Sequence, residues 1–348
     1  MARPELLLVG DAGGTKTRLA LFEAPLRRGA RTGRRGTAVR LIESASFPSG
    51  SFPTLEAVAT AYLNQTGAHP TRAVFGVAGP VVAGRAEITN LPWRISESGL
   101  RRALRLRSAR LLNDLVATAL AVPVLGPRDV RSINRGTAAR GGTIGVIAPG
   151  TGLGEAFLAW DGARYRAYPS EGGHSDFAPP TELAGELLTH MRRAVPHVSV
   201  EWVCSGMGIP HLYAFLRAHG EAEPAWLAER LASADDPAPV IVGAALDRDR
   251  PCPIAAATLD LFIDILGAEA GNLAVKVLAT GGVYLAGGIP PKIAGALTDG
   301  RFAQAFRRKG RLAELMARIP VRLVVHPDPA LIGAVHAALF DSAGTSRP

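Results

Sequence analysis

The sequence predicts a mixed α/β protein of two domains, and three observations carry that expectation. Strand-like and helix-like runs alternate along 348 residues, a length that suits two domains of about 100 to 200 residues each. A strand, glycine-rich turn, strand pattern occurs twice, first over residues 5–22 and again over 143–160. After residue 180 helical periodicity takes over, so the second domain is expected to be richer in helix. With 47% hydrophobic and 20% charged residues, each half has enough apolar surface to build a core.

Glu5–Gly10 reads as a buried strand and Thr17–Phe22 as a second, joined by the turn Asp11-Ala-Gly-Gly-Thr15. Val39–Ser46 suggests a third strand, Leu55–Gln65 a helix, and Ala73–Ala78 a short strand ending at Gly79-Pro80. A strand closing on Leu111–Asn113 leads into a helix from Leu115 to Leu125, stopped by Pro123 and Gly126. Thr143–Ala148 and Glu155–Trp160 flank the second glycine turn, an internal echo that points to a duplicated unit. Helices are expected at 182–195, 201–219, 226–232, 259–278 and 330–340, with short strands at 282–287 and 321–325 and a frayed tail from Ser342.

The net charge of +9 is local. Arg27, Arg28, Arg31, Arg34, Arg35 and Arg40 form one cluster, and Arg94, Arg101, Arg102, Arg105, Arg107 and Arg110 a second with only Glu97 against it. Neither has interleaved aromatics for stacking bases, which disfavours nucleic acid; solvated loops are the plainer reading. Cys204 and Cys252 are too few and too far apart for a disulfide framework or zinc ribbon, which points to a reducing, cytoplasmic setting. No apolar run reads as a signal segment or a transmembrane helix.

Gly10-Asp-Ala-Gly-Gly-Thr-Lys-Thr17 is not a P-loop, which needs glycine directly before the Lys-Ser/Thr pair and a helix after it. It reads as a hairpin turn whose N–H groups can approach phosphate, with Asp11 placed to hold Mg²⁺ through water; a plain glycine turn competes with this. Gly150-Thr-Gly-Leu-Gly154 is a second such turn, with Thr151 available to a terminal phosphate. Asp114 reads equally as a helix cap or a general base. Glu171, His174 and Asp176 crowd one glycine-containing loop that suits a polar ligand; the spacing of a metalloprotease and the elbow of a serine hydrolase are both missing. Glu201, after Ser199, reads alone as a first-turn helix acid.

In order and over nearly the whole chain, these segments resemble the bacterial glucokinases of the hexokinase and actin-like ATPase superfamily. Asp11–Leu21 is similar to that family's first phosphate motif, Leu112-Asn-Asp-Leu115 to its sugar and base motif, and Gly150–Gly154 to its second phosphate motif. Glu171–Pro179, His197–Gly208 and Gly281–Ile289 resemble its sugar loops and adenosine motif. The resemblance implies a two-lobed, ribonuclease H-like fold with a cleft. The small α/β domain would comprise residues 1–112 with about 328–348, and the larger domain 113–327. It implies ATP-dependent phosphorylation of D-glucose at the 6-hydroxyl, with Mg²⁺, in a cytoplasmic homodimer feeding glycolysis. Asp114 would be the base, and Asn113, Glu171, His174 and Glu201 would hold the sugar. Asp11, Gly13, Gly14, Thr15, Lys16, Gly150, Thr151, Gly152, Gly287 and Gly288 would serve the metal and nucleotide. Two cysteines cannot form the zinc motif of the related ROK sugar kinases, so a zinc-free branch is implied. A polyphosphate-dependent kinase, or a non-catalytic sugar-binding regulator on the same fold, is the competing expectation; the latter lacks room for a DNA-binding helix pair before Glu5.

Overall fold

The computed structural model describes residues 5–24, 39–88 and 91–341. The chain divides into two compact units, residues 1–125 with 327–348, and residues 126–326. The break falls after Leu125, where the sequence reading puts it at 112. The cause is the helix Asp114–Ala121, which packs on the helix Pro329–Asp341 and so stays with the first unit. That packing is close: a Cβ at Gly333 would run into the Ala117 carbonyl.

The first unit is built on β1 (Glu5–Ala12), β2 (Lys16–Ala24), β3 (Arg40–Pro48), β4 (Arg72–Val77) and β7 (Ser108–Asn113), in the order β3-β2-β1-β4-β7. A small hairpin of β5 (Arg85–Glu87) and β6 (Arg94–Ser96) stands apart from it. β1 is antiparallel to β2 and parallel to β4, which is parallel to β7. Alternation along each strand sends side chains to opposite faces. Leu7, Val9 and Val74 therefore pack with Ala117, Leu331 and Val335, while Leu8 and Phe75 pack with Leu55, Tyr62 and Trp93. With both faces covered, β1 has to be an apolar run, which is why it is legible in the sequence. β3 is an edge strand and mostly exposed.

In the second unit, β8 (Val130–Asn134), β9 (Ile144–Pro149), β10 (Leu153–Trp160), β11 (Tyr165–Ser170), β12 (Gly282–Leu285) and β13 (Val321–Val324) run in the order β11-β10-β9-β12-β13-β8. The first five repeat the order and directions of the first sheet. The internal echo in the sequence is thus a repeated sheet topology. The helix Pro253–Lys276 runs through this unit's core, burying Phe262, Leu266 and Leu273 against β9, β12 and the helix Arg301–Arg307.

Several expected elements differ. The helix expected over 201–219 forms only from Ile209 to Ala218, because Gly206 and Gly208 break its start and Pro210 suits only a first turn. Glu201 therefore lies in a turn rather than in a first helical turn. The helix expected to run to 195 ends at Met191, and that expected from 259 begins at Pro253. β5, β6, β8, β11 and the helices at 97–103, 237–246, 301–307 and 313–318 were not expected. Arg27, Arg28, Arg31, Arg34 and Arg35, and the tail from Ser342, lie outside the described residues.

Candidate active site

In the first unit the parallel register puts the ends of three strands side by side. Asp11 on β1 pairs with Gly76 on β4, which pairs with Leu112 on β7; one step on, Ala12, Val77 and Asn113 align. Asp11, Asn113 and Asp114 thus share one sheet end. The β1–β2 turn is tied down: the Gly13 N–H donates to the Lys16 carbonyl at 3.0 Å, and the Ser49 N–H to the Thr15 carbonyl at 2.9 Å. The Ser49 hydroxyl donates to the Gly13 carbonyl at 2.8 Å and lies 2.9 Å from the Thr17 hydroxyl. Thr15 and Lys16 remain exposed. Ser49 is buried, and the sequence reading passed over it because a serine 34 residues beyond the turn carries no local signal.

Asn113 caps the helix Asp114–Ala121, its Oδ1 accepting from the N–H groups of Leu115 at 3.0 Å and Val116 at 3.2 Å. Its Nδ2 donates to the Gly79 carbonyl at 3.2 Å, which leaves one amide hydrogen for a ligand. Asp114 Oδ1 accepts from the Leu115 N–H at 2.8 Å. The cap reading of this segment therefore holds, with Asn113 rather than Asp114 as the principal cap. Burial pushes the Asp11 carboxyl up to about 6, the Asp114 charge adds to this, and Arg18 opposes it. Two carboxylates crowded at one sheet end favour a cation, so the donor set fits Mg²⁺.

In the second unit the Gly150–Gly152 turn is closed by the Gly150 N–H donating to the Gly152 carbonyl at 2.8 Å. It is held from outside by Glu201, whose Oε2 accepts from the Leu153 N–H at 2.8 Å, and by the Gly206 N–H, which donates to the Gly150 carbonyl at 2.8 Å. The Glu201 carboxylate fills the space a Cβ at Gly152 would need, so a side chain there would have to displace it. The Glu201 N–H in turn donates to the Gly173 carbonyl at 2.9 Å. His174 lies between two carboxylates, with Nδ1 3.9 Å from Glu201 Oε1 and Nε2 4.0 Å from Glu171 Oε2. Glu171 and His174 are 76% and 64% exposed at the side chain, against 21% for Glu201, so two partners face solvent while the third is anchored.

After β12 the chain turns at Gly287, whose φ of +85° and contact with the Pro149 carbonyl both demand glycine. Gly288 beside it is exposed, with open space where a side chain would stand, as at Gly150. The structure therefore gathers Gly150, Thr151, Gly152, Glu171, His174, Glu201 and Gly287 on one connected set of turns. His197, from the same region, instead meets Asp176 at 2.9 Å.

A repeated sheet with a glycine turn between its first two strands in each copy defines the actin-like ATPase fold class, and comparison with known proteins agrees. The structure matches a crystal structure of glucokinase from an Antarctic psychrotroph with a TM-score of 0.78 at 34% identity, over 96% of this chain and 98% of that one. It also matches a ROK family glucokinase from Streptomyces griseus in complex with glucose and AMPPNP, with a TM-score of 0.60 at 21% identity, over 94% and 97% of the two chains. A glucokinase from Nostoc punctiforme is 38% identical over 344 residues, which span 94% of this chain and 97% of that one. The profile of the glucokinase family, described as Glucokinase, matches residues 8–340. The chain belongs to the glucokinase family, enzymes that phosphorylate glucose. No helix among the described residues is long and apolar enough to cross a membrane.

Proposed function

We propose that this enzyme transfers the terminal phosphoryl group of ATP to the 6-hydroxyl of D-glucose. The observation that carries the reading is the pair of Asp11 and Asp114 at one sheet end, beside a turn whose Thr15 and Lys16 stay exposed. Phosphoryl transfer asks a protein mainly for positioning and charge neutralisation. Asp114 accepts the proton of the attacking hydroxyl. Asn113 orients that hydroxyl with its one free amide hydrogen. Glu171, His174 and Glu201 accept hydrogen bonds from the remaining sugar hydroxyls, each charged bond being worth roughly 1.5 to 3 kcal/mol.

Gly13, Gly14, Thr15 and Lys16, with Gly150, Thr151 and Gly152, serve the phosphates, and Gly287 and Gly288 leave room on the adenosine side. Asp11 would hold Mg²⁺ through water, and the ion, when bound, neutralises phosphate charge. The zinc-free branch, the cytoplasmic homodimer and the role in glycolysis belong to the same reading. It is tested by D114N, which removes the base and keeps the shape. We expect kcat to fall by about 10² to 10⁴ while glucose affinity stays within a few-fold. A D114N enzyme with wild-type kcat would overturn the assignment.

A further inference from the structure

Behind the loop Glu171–His174 lies a buried pair of acids that the reaction does not use. Glu155 on β10 is 2% exposed and Glu269, on the helix Pro253–Lys276, is 4% exposed. The two acids lie close enough to act on each other, and neither Glu155 Oε1 nor Glu269 Oε1 has a hydrogen-bond partner. Burial and the neighbouring Glu269 charge both disfavour a second ionised carboxylate in such a place, so the proton stays on Glu155. On its other side, the Glu155 carboxyl lies where a Cβ at Gly172 would stand, and Gly172 is the first residue after Glu171. Gly172 also accepts the Ser175 hydroxyl at 2.6 Å, so the floor of this loop rests on Glu155 on one side and is tied to Ser175 on the other.

We propose that Glu155 is a positioning residue for the sugar loop: while its carboxyl is protonated it supports residues 171–174 in the arrangement that binds glucose, and losing that proton weakens binding. A second negative charge in this buried site is opposed by the Glu269 charge and met only by the pull of Lys276. Relief comes through the neighbour without a side chain, Gly172, by moving the loop to admit water. The charged and titratable groups around the pair are few. Lys276 Nζ lies 3.6 Å from Glu269 Oε1, and Asn272 donates to Glu269 Oε2 at 2.8 Å. Lys309 bonds Asn272 Oδ1 at 2.5 Å and acts on Glu269 from a distance, and the Cys204 thiol is pushed up by its burial and then by both acids. Burial, then the Glu269 charge, push Glu155 up to about 7 against the pull of Lys276. The proton is therefore exchanged near neutral pH.

This inference rests on the glucose-binding reading of the loop, and the test separates the two. Glucose is titrated calorimetrically into the full-length protein between pH 6 and 8.5, in two buffers of different ionisation enthalpy, for wild type, E155Q and E269Q. Wild-type Kd is expected to rise about tenfold across that range, with proton uptake on binding near pH 7.5. E155Q, which keeps a neutral hydrogen-bonding group under Gly172, is expected to hold Kd within about twofold with no uptake. E269Q removes the neighbouring charge and should move the rise to lower pH. A pH dependence and proton uptake that survive in E155Q belong to another group and overturn the inference, as does a wild type without uptake. If E155Q does not fold, an E269Q profile that superposes on wild type overturns it. Absence of glucose binding at every pH removes the functional reading itself.

Discussion

Glu171 and Glu201 carry the same chemical group and are expected to fail differently when truncated. Glu201 is anchored, with one oxygen on the Leu153 N–H and the other toward His174, and its carboxylate occupies the space beside Gly152. E201A therefore leaves a backbone donor unsatisfied and should cost about 1–3 kcal/mol of stability in addition to raising the glucose KM. E171A removes an exposed carboxylate with one distant histidine neighbour, so it should raise KM with the denaturation midpoint unchanged. Chemical denaturation alongside steady-state kinetics separates the two; an unchanged KM in E171A would move the sugar site elsewhere. At this scale the sequence was informative about chemistry and silent about anchoring. An acid followed by two glycines and a histidine invites a polar ligand, but nothing local to Glu201 says that its carboxylate reaches back 48 residues to Leu153. Glu155 was open to notice as an acid inside an apolar strand, yet only the fold shows Glu269 opposite it.

Elements were legible where burial on both faces forced an apolar run, as in β1, β4 and β9, and illegible where pairing alone makes the strand. β11, Tyr165–Ser170, alternates exposed side chains and carries a proline, so it is a strand only because β10 lies beside it. The helix Pro237–Leu246 hid behind two prolines and a glycine, although Pro237 sits in its first turn where it costs nothing. The misread helix start at Glu201 arose because apolar spacing continues through Trp202, Val203 and Ile209, while the backbone turns to bond Gly150 and Thr151. One contact between elements sets where Asp114 stands: the close approach of the helices Asp114–Ala121 and Pro329–Asp341 at Gly333. Gly333→Leu should force them apart, costing about 1–3 kcal/mol or more, and should lower kcat through displacement of Asp114. A thermal melt and kcat both equal to wild type would show that this packing does not position Asp114.

For the whole molecule, the acids held above their ordinary range set the direction of the pH dependence. The folded state keeps the Glu155 proton up to about 7 and that of Asp11 up to about 6, against ordinary values of 4.5 and 3.8. Between those limits the folded chain binds more protons than the unfolded one, so stability falls as pH rises from about 4 to about 7 on account of these groups and is level beyond. E155Q should remove the Glu155 share, so its stability relative to wild type increases from pH 5 to pH 7.5 in urea titrations. A constant difference between the two across that range would contradict the raised acid. The two sheets repeat one topology, and each carries its glycine turn between the same two strands. The direct measurement is phosphoryl transfer by the full-length protein, with ATP or inorganic polyphosphate as donor and glucose, mannose or glucosamine as acceptor, the product position read by NMR. The expected result is glucose 6-phosphate from ATP with the highest kcat/KM of the panel. No transfer from ATP to glucose, or phosphate on another hydroxyl, would contradict it.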